Sequence, residues 1–549
     1  MHLSHRRMAI FSVTGCTAWV LSVASLLLHE SVLAQVPESG GGQSSEVTMG
    51  TLPLIPSASA IGTPGATTPN SSGGPNQSNR WFEPRITIQH TVTSNARLNS
   101  AGHSDHVTEV MPGFSLMRDT ARVKGFVDYT LRASHYARGT DSEKIWHSLN
   151  ARGTVEAVED RLYVDMDGTI GLQAVSAFGP IGNSAANSNM AETSNFRISP
   201  YLKGDLSGGM NYEARYGIRE IRSDAAINSD ATVHDWLLQL GRKPVGQAFG
   251  WILDATQQNI NYSNSRNIES TAFRGRLIYL ATLQLRLIGI AGFESTNQRL
   301  PTKESHDIVG LGFDWRPSDK SKLFVERQSR YFGSAYNVNL EHRLARAVWR
   351  YTDRKDVTVG TAAQSGSTGS LFDLLDGYYT QIEPSPIRRI QLVQAELARM
   401  GLPADMQVFP DFLSSSSKLQ RQQQLSLALL GRRSTLTFAL SRSDARQMDG
   451  ALRLGDDFQN NQRIRQRGWN IMFAHRLSPN STINAAFGDA RSIGSTLGWE
   501  ARTRTLLIGW NTRIAPRTSL GLQLRRVLSD GNMSQYDESA VMGLITHRF

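Results

Sequence analysis

Apolar and polar side chains alternate with a period of two along many short stretches of this sequence. In one of them Leu520, Leu522 and Leu524 alternate with Gln523 and Arg525. Successive side chains of a β-strand point to opposite faces, so each stretch predicts a strand with one apolar and one charged face. The strands are roughly 9–11 residues long, which is the length that crosses a bilayer at a tilt.

The connections between these stretches alternate between short turns and long polar loops. The clearest short turns are 515–517, 478–480 and 431–433, and longer loops lie near 491–498 and 444–463. Short turns on one rim and long loops on the other are typical of bacterial outer-membrane barrels, and the spacing predicts about 22 strands, or about 20 if one weak hairpin does not form. The sequence therefore predicts an all-β, antiparallel transmembrane β-barrel over residues 81–549, located in the outer membrane.

The first 34 residues resemble an export signal. A positive segment at 5–7 precedes an uncharged apolar run from Met8 to Leu28, and small residues before Gln35 predict cleavage between Ala34 and Gln35. An uncleaved anchor is the alternative. Cleavage would remove Cys16, the single cysteine, and residues 35–80 are rich in Gly, Ser and Pro, which predicts a flexible periplasmic leader.

The last strand carries a second targeting feature. Val541, Gly543, Ile545 and His547 share one face with Phe549, the final residue. An amphipathic last strand that ends on an aromatic residue resembles the signal recognised by the barrel assembly machinery, which is therefore an expected partner together with outer-membrane lipid.

A long insertion at 353–416 interrupts the strand rhythm. Within it, Ser385 and Pro386 can begin a helix that ends at Gly401, with apolar residues at helical spacing. Counting strands places the insertion on the extracellular rim. Its helix either folds into the lumen or packs as part of a surface loop.

Motifs for enzymatic chemistry are absent from the sequence. It contains no nucleophile elbow, HExxH helix, phosphate-binding Gly-rich loop or paired-cysteine metal motif, so we expect no catalytic residues, no metal site and no cofactor. The formal net charge is +10, but no basic run with interleaved aromatics predicts a nucleic-acid partner. A mean hydropathy of −0.32 excludes a polytopic helical membrane protein.

Basic residues dominate the polar faces of the predicted strands. Placing an Arg or Lys against lipid near the bilayer midplane costs about 2–4 kcal/mol, so these side chains should point into the lumen. The predicted lumen-facing residues are Lys124, Arg132, Arg152, Arg215, Arg219, Arg274, Arg276, Arg286, Arg346, Arg350 and Arg525. An excess of arginine would attract anionic solutes or acidic sugar polymers. Alternatively, these arginines pair with inward carboxylates and link the strands of the wall to one another.

Several short segments carry a family resemblance that spans about residues 81 to 549. They are the segments 104–110, 158–165, 200–202, 323–327, 396–403 and 431–437. Together they resemble the outer-membrane proteins associated with PEP-CTERM/exosortase systems. The resemblance implies a barrel encoded beside exopolysaccharide synthesis and export functions, with polysaccharide and export-system proteins as partners, and it implies no catalytic residues.

These observations lead to a non-enzymatic barrel that helps an anionic exopolysaccharide reach or cross the outer membrane. Three alternatives remain open from the sequence. They are a general diffusion porin for small solutes, a barrel-embedded hydrolase, and a surface protein that acts through its long loops.

Overall fold

The computed structural model describes residues 82–182, 186–225, 230–244, 248–263, 265–358, 371–379, 383, 386–400, 412–449, 455–533 and 535–549. The predicted signal peptide and leader, with Ala34 and Gln35, lie outside these residues. Among the described helices, none is both long and apolar enough to cross a membrane.

Twenty-two antiparallel strands form one closed sheet, which confirms the predicted barrel and the larger of the two expected strand numbers. The strands are β1 (Phe82–Thr93), β2 (Asp105–Asp119), β3 (Val123–Tyr136), β4 (Lys144–Val158), β5 (Leu162–Ala174), β6 (Met190–Leu206), β7 (Met210–Ser223), β8 (Ala231–Arg242), β9 (Phe249–Tyr262), β10 (Ile268–Leu280), β11 (Leu285–Thr296), β12 (Glu304–Ser318), β13 (Ser321–Arg330), β14 (Gly333–Arg343), β15 (Ala347–Thr358), β16 (Lys418–Leu430), β17 (Ser434–Gln447), β18 (Arg463–Ser478), β19 (Ser481–Gly494), β20 (Glu500–Ala515), β21 (Thr518–Gly531) and β22 (Tyr536–Arg548).

The barrel closes where the first strand meets the last. β1 pairs with β22 in antiparallel register, with Ile88 opposite Ile545, and the Thr87 and Thr546 hydroxyls lie 2.8 Å apart. Because every strand has two neighbours, the sheet has no free edge whose backbone groups would face lipid.

The alternation seen in the sequence becomes a lipid face and a lumen face. On β21, Leu522 and Leu524 are 48% and 54% exposed, whereas Gln523 between them is 7% exposed. Exposed apolar side chains outside and packed polar side chains inside are the pattern of a membrane barrel. The short turns, such as the one between β20 and β21, mark the periplasmic rim, and the longer connections mark the extracellular rim.

Two helices interrupt the strand order between β15 and β16: α1 (Leu371–Tyr379) and α2 (Pro386–Met400). α2 begins at the predicted proline, while Ser385 and Gly401 lie outside the described residues. The sequence did not predict α1. The insertion also starts later than predicted, at 359 rather than 353, because β15 continues through the polar residues up to Thr358.

Candidate functional site: an occluded lumen

Five of the eleven predicted lumen-facing basic residues form ion pairs with carboxylates on the inner wall. The N–O distances of these ion pairs run from 2.7 to 3.8 Å. The pairs are Arg132 with Glu109, Arg152 with Asp167, Arg215 with Asp165 and Glu213, Arg274 with Asp254, and Arg525 with Glu538. The structure therefore favours the interpretation in which inward arginines pair with carboxylates and so link strands of the wall to one another.

Five further residues of the predicted set lie elsewhere on the wall or outside it. Arg286 lies opposite Asp314 in register, and Arg219 and Arg276 are buried at 7% and 9% exposure. Lys124 is exposed near the periplasmic start of β3. Arg346 does not face the lumen: it lies exposed in the short periplasmic turn between β14 and β15.

The remaining member, Arg350, connects the wall to the insertion. It lies opposite Glu341 on β14, on the inner face of β15. A Cβ atom added to Gly377 of α1 would lie 2.2 Å from Nη1 of Arg350, so this guanidinium contacts the helix backbone directly. Glycine at 377 leaves the space that the arginine occupies.

The helical hairpin formed by α1 and α2 lies inside the barrel. Leu371, Leu375, Val393 and Leu397 are 0–6% exposed and pack in one apolar cluster with three alanines and a methionine of the wall. Those wall residues are Ala439, Met472, Ala474 and Ala486. Their immediate neighbours along the strands, such as Ile471 and Phe473, are exposed to the outside, which places the cluster on the lumen face.

Polar contacts tie the hairpin together and to a second part of the wall. Nε of Arg389 on α2 donates to Asp376 of α1 at 2.8 Å, and Arg389 Nη1 donates to the Glu383 carbonyl. The Gln391 amide nitrogen lies 2.6 Å from the Met117 sulfur on β2. Because the hairpin touches β17–β19 on one side and β2 on the other, it crosses the lumen as a chord.

Described loops at the extracellular mouth contact one another in an extracellular cap made of residues 175–182, 412–417 and 455–461. The Leu413 amide donates to the Ala174 carbonyl at 2.8 Å, and the Phe178 ring packs edge-on against Trp499 at 5.1 Å between ring centroids. The Tyr536 hydroxyl donates to the Ile181 carbonyl at 3.1 Å. The loop between β5 and β6 thus reaches strands about half-way round the barrel.

Two adjacent aspartates organise the cap. Asp456 accepts hydrogen bonds from the Ser414 hydroxyl, the Ser415 amide and the Ser416 hydroxyl. Asp457 accepts from the Ser176 hydroxyl and the Ala177 amide, both at 2.7 Å. The four serines 414–417 are at most 2% exposed. This run of small polar residues gives the hydroxyl and amide donors that a buried carboxylate needs.

Burial of Asp457 should make the cap sensitive to pH. Burial raises the pKa of this carboxyl to about 6, although its two hydrogen bonds act in the opposite direction. An unfolded aspartate titrates near 3.9, so the closed cap takes up a proton that the open one releases. Cap stability therefore falls as pH rises through about 4 to 6, by up to about a hundredfold in the opening equilibrium.

We expect Asp457→Asn to remove this dependence, because a neutral amide can accept from Ala177 and donate to the Ser176 hydroxyl. Hydrogen–deuterium exchange of the 412–418 peptide, corrected for intrinsic rates, should be slower than wild type at pH 7.5 and equal to it at about pH 3.5, below the pKa of an unfolded aspartate. Asp530→Asn, at an exposed carboxylate, is the control and should leave the profile unchanged. An unaltered pH profile in Asp457→Asn would contradict the role given to this carboxyl.

Hydroxyl–histidine pairs recur at the periplasmic rim on the lipid face. Oxygen–Nδ1 distances are 2.8 Å for Ser321–His342, 2.8 Å for Ser434–His475 and 2.9 Å for Thr518–His547. In the described part of the chain, none of these histidines hydrogen-bonds a carboxylate. A catalytic triad needs that third group, and the repetition at three positions favours an interfacial belt over an active site. The described residues also contain no cluster of three or more His, Cys, Asp or Glu suited to a metal ion.

Comparison with known proteins gives fold-level likeness only. No family model matches the sequence, and no curated protein matches it. Among solved structures, the siderophore receptor PirA from Pseudomonas aeruginosa is 8% identical, with a TM-score of 0.42, and 86% of this chain and 81% of that chain are covered. The apoprotein form of the FrpB iron transporter from Neisseria meningitidis is 9% identical, with a TM-score of 0.47 and the same coverage.

At these identities and TM-scores, the likenesses carry no argument about what this chain transports. The location follows from the barrel itself, whose closed sheet presents apolar side chains outward and polar ones inward. The chain is a 22-stranded β-barrel of the bacterial outer membrane whose own insertion occupies part of the lumen.

Proposed function

We propose that this protein is a gated outer-membrane conduit that carries an anionic exopolysaccharide to the cell surface, in a system of the PEP-CTERM/exosortase type. The observation that carries the proposal is the occlusion of a wide lumen by a hairpin of the same chain. The hairpin is held by one apolar cluster and a few polar contacts.

The width of the barrel supports a large substrate. With strands about 4.8 Å apart and tilted by about 40°, a circular 22-stranded barrel measures about 40 Å across its backbone. A helix with its side chains is about 10–12 Å wide, so movement of the hairpin would free a passage much wider than a small solute needs. An extended polysaccharide is a substrate of matching size.

Occlusion argues against the alternative of a general diffusion porin. Barrels of 16–18 strands already leave a standing aqueous channel without any moving part. Here the hairpin crosses the lumen and the cap joins loops over the mouth, as expected of a passage that opens only during transport. Small-ion conductance in the resting state should accordingly be low.

Paired charges along the wall are compatible with passage of an anionic polymer. Arg276 is an exception among these charges, because it is 9% exposed and its Nε makes no hydrogen bond among the described residues. A ladder of paired arginines can exchange a wall carboxylate for a carboxylate of the polymer without leaving a bare charge. The sequence resemblance to PEP-CTERM-associated barrels is the reason for proposing an exopolysaccharide as the polymer.

A chromosomal deletion tests the proposal. The deletion strain should lose most of its surface exopolysaccharide and accumulate the polymer behind the outer membrane, and the wild-type gene supplied in trans should restore export. Normal amounts of surface polysaccharide in the deletion strain would contradict the proposal. Steady small-ion conductance of the purified barrel, with export unaffected, would favour the porin.

A further inference from the structure

The outer face of the barrel carries a row of four arginines on its extracellular side. Arg442, Arg467, Arg491 and Arg502 lie opposite one another in register on β17, β18, β19 and β20. With neighbouring strands about 4.8 Å apart, the row is about 14 Å long. We call it the arginine row.

The row borders the lipid-facing belt. Each member shares its face with apolar side chains that are exposed to the outside, such as Leu440, Ile471 and Leu506 at 38–43% exposure. Leu440 and Trp469 follow directly on the periplasmic side of Arg442 and Arg467. The arginines therefore stand at the level where acyl chains give way to headgroups.

Positive charge exceeds negative charge on this part of the surface. The outward, extracellular halves of β17–β20 carry eight arginines against three carboxylates. They are Arg442, Arg446, Arg463, Arg465, Arg467, Arg491, Arg502 and Arg504, with Asp444, Asp489 and Glu500. Like charges directly opposite one another on adjacent strands are destabilising, so the sheet alone leaves this surface short of anions.

Ion pairs satisfy only one half of the arginine row. Arg491 pairs with Glu500 at 2.5 Å, and Arg502 pairs with Asp489 at 2.7 Å. Arg442 and Arg467 are exposed and make no ion pair with any described residue. The unpaired half lies above Leu440 and Trp469, where a bound lipid would place its headgroup.

We propose that the arginine row binds the phosphate-bearing headgroup of the glycolipid that forms the outer leaflet of the outer membrane. A guanidinium presents a planar fork of donors that matches phosphate oxygens in a bidentate manner. Neighbouring guanidiniums at strand spacing can hold one phosphate between them. The adjoining apolar belt favours a lipid over a soluble acidic polysaccharide, because it packs the acyl chains of the same molecule.

Native mass spectrometry of the full-length barrel in detergent, with added lipopolysaccharide, tests this assignment. Wild-type protein should retain the lipid, and the double variant Arg442→Gln/Arg467→Gln should bind it about tenfold more weakly, as expected for the loss of charge-assisted hydrogen bonds. Dephosphorylated lipopolysaccharide should bind the wild type as weakly as the intact lipid binds the variant.

The matched control is Arg222→Gln on β7, because Arg222 also faces outward near the extracellular rim but pairs with Glu220. It should bind like wild type, and the shift in gel mobility on heating should show that all variants are folded. Equal binding by the double variant, or equal binding of the dephosphorylated lipid, would overturn the proposal. Full displacement by millimolar inorganic phosphate, or preferential binding of a soluble acidic polysaccharide, would also overturn the assignment to a lipid.

Discussion

Undocking the luminal hairpin should raise single-channel conductance in planar bilayers about tenfold or more, because the hairpin occupies a passage that a 22-stranded wall would otherwise leave open. Val393 is fully buried between α2 and the wall. Val393→Asp places a charge in that apolar contact and should release the hairpin without altering any strand.

Leu392→Asp is the matched control, since Leu392 is the adjacent residue of α2 but is 39% exposed. It should leave conductance at the wild-type level. Replacing residues 371–400 with a short Gly/Ser linker gives a second test that does not depend on how the hairpin responds to a charge. If both altered barrels fold and both conduct like wild type, the hairpin does not gate the lumen.

Replacing Glu538 should destabilise barrel closure by about 3–5 kcal/mol, the range for leaving a buried charge without its partner. Glu538 is 1% exposed, and it accepts two hydrogen bonds from Arg525, at 2.9 and 2.7 Å. It also accepts from the Thr93 hydroxyl at 2.8 Å. One carboxylate thereby joins β21 and β22 to β1, across the seam where the sheet closes.

Urea unfolding of the refolded barrel, followed by tryptophan fluorescence, would measure the effect of Glu538→Ala. Asp537→Ala is the control, because this neighbouring carboxylate pairs with Arg526 on the outer surface, where both side chains are largely solvent-exposed. It should change the free energy of unfolding by at most about 1 kcal/mol. Similar effects of the two substitutions would show that the seam does not depend on Glu538.

Local features of the sequence were sufficient to predict the wall. Period-two alternation and turn length depend on neighbouring residues, so they predicted the strands and the closed barrel. A local helix-start signal, Ser385 followed by Pro386, predicted where α2 begins. Arg346 was placed wrongly because the alternation of β15 continues into the turn, and extending it assigned an inward face to a residue that precedes the strand.

Contacts between residues far apart along the chain could not be predicted from the sequence. Arg85 donates to Asp128, 43 residues away, and Ser176 meets Asp457, 281 residues away. Which carboxylate an arginine meets depends on strand register, and which loops meet over the mouth depends on barrel curvature. The arginine row could not be predicted for the same reason, because its members become neighbours only when four strands align.

Locking the hairpin during export tests the central claim most directly. Residues 82–549 contain no cysteine, so Gln391→Cys with Met117→Cys introduces one thiol on α2 and one on the facing wall. In the deletion strain complemented with this variant, a cleavable thiol crosslinker should stop the appearance of surface exopolysaccharide, a monofunctional thiol reagent should not, and cleavage should restore export. Export at the normal rate with the crosslink in place would contradict a polymer path through this lumen.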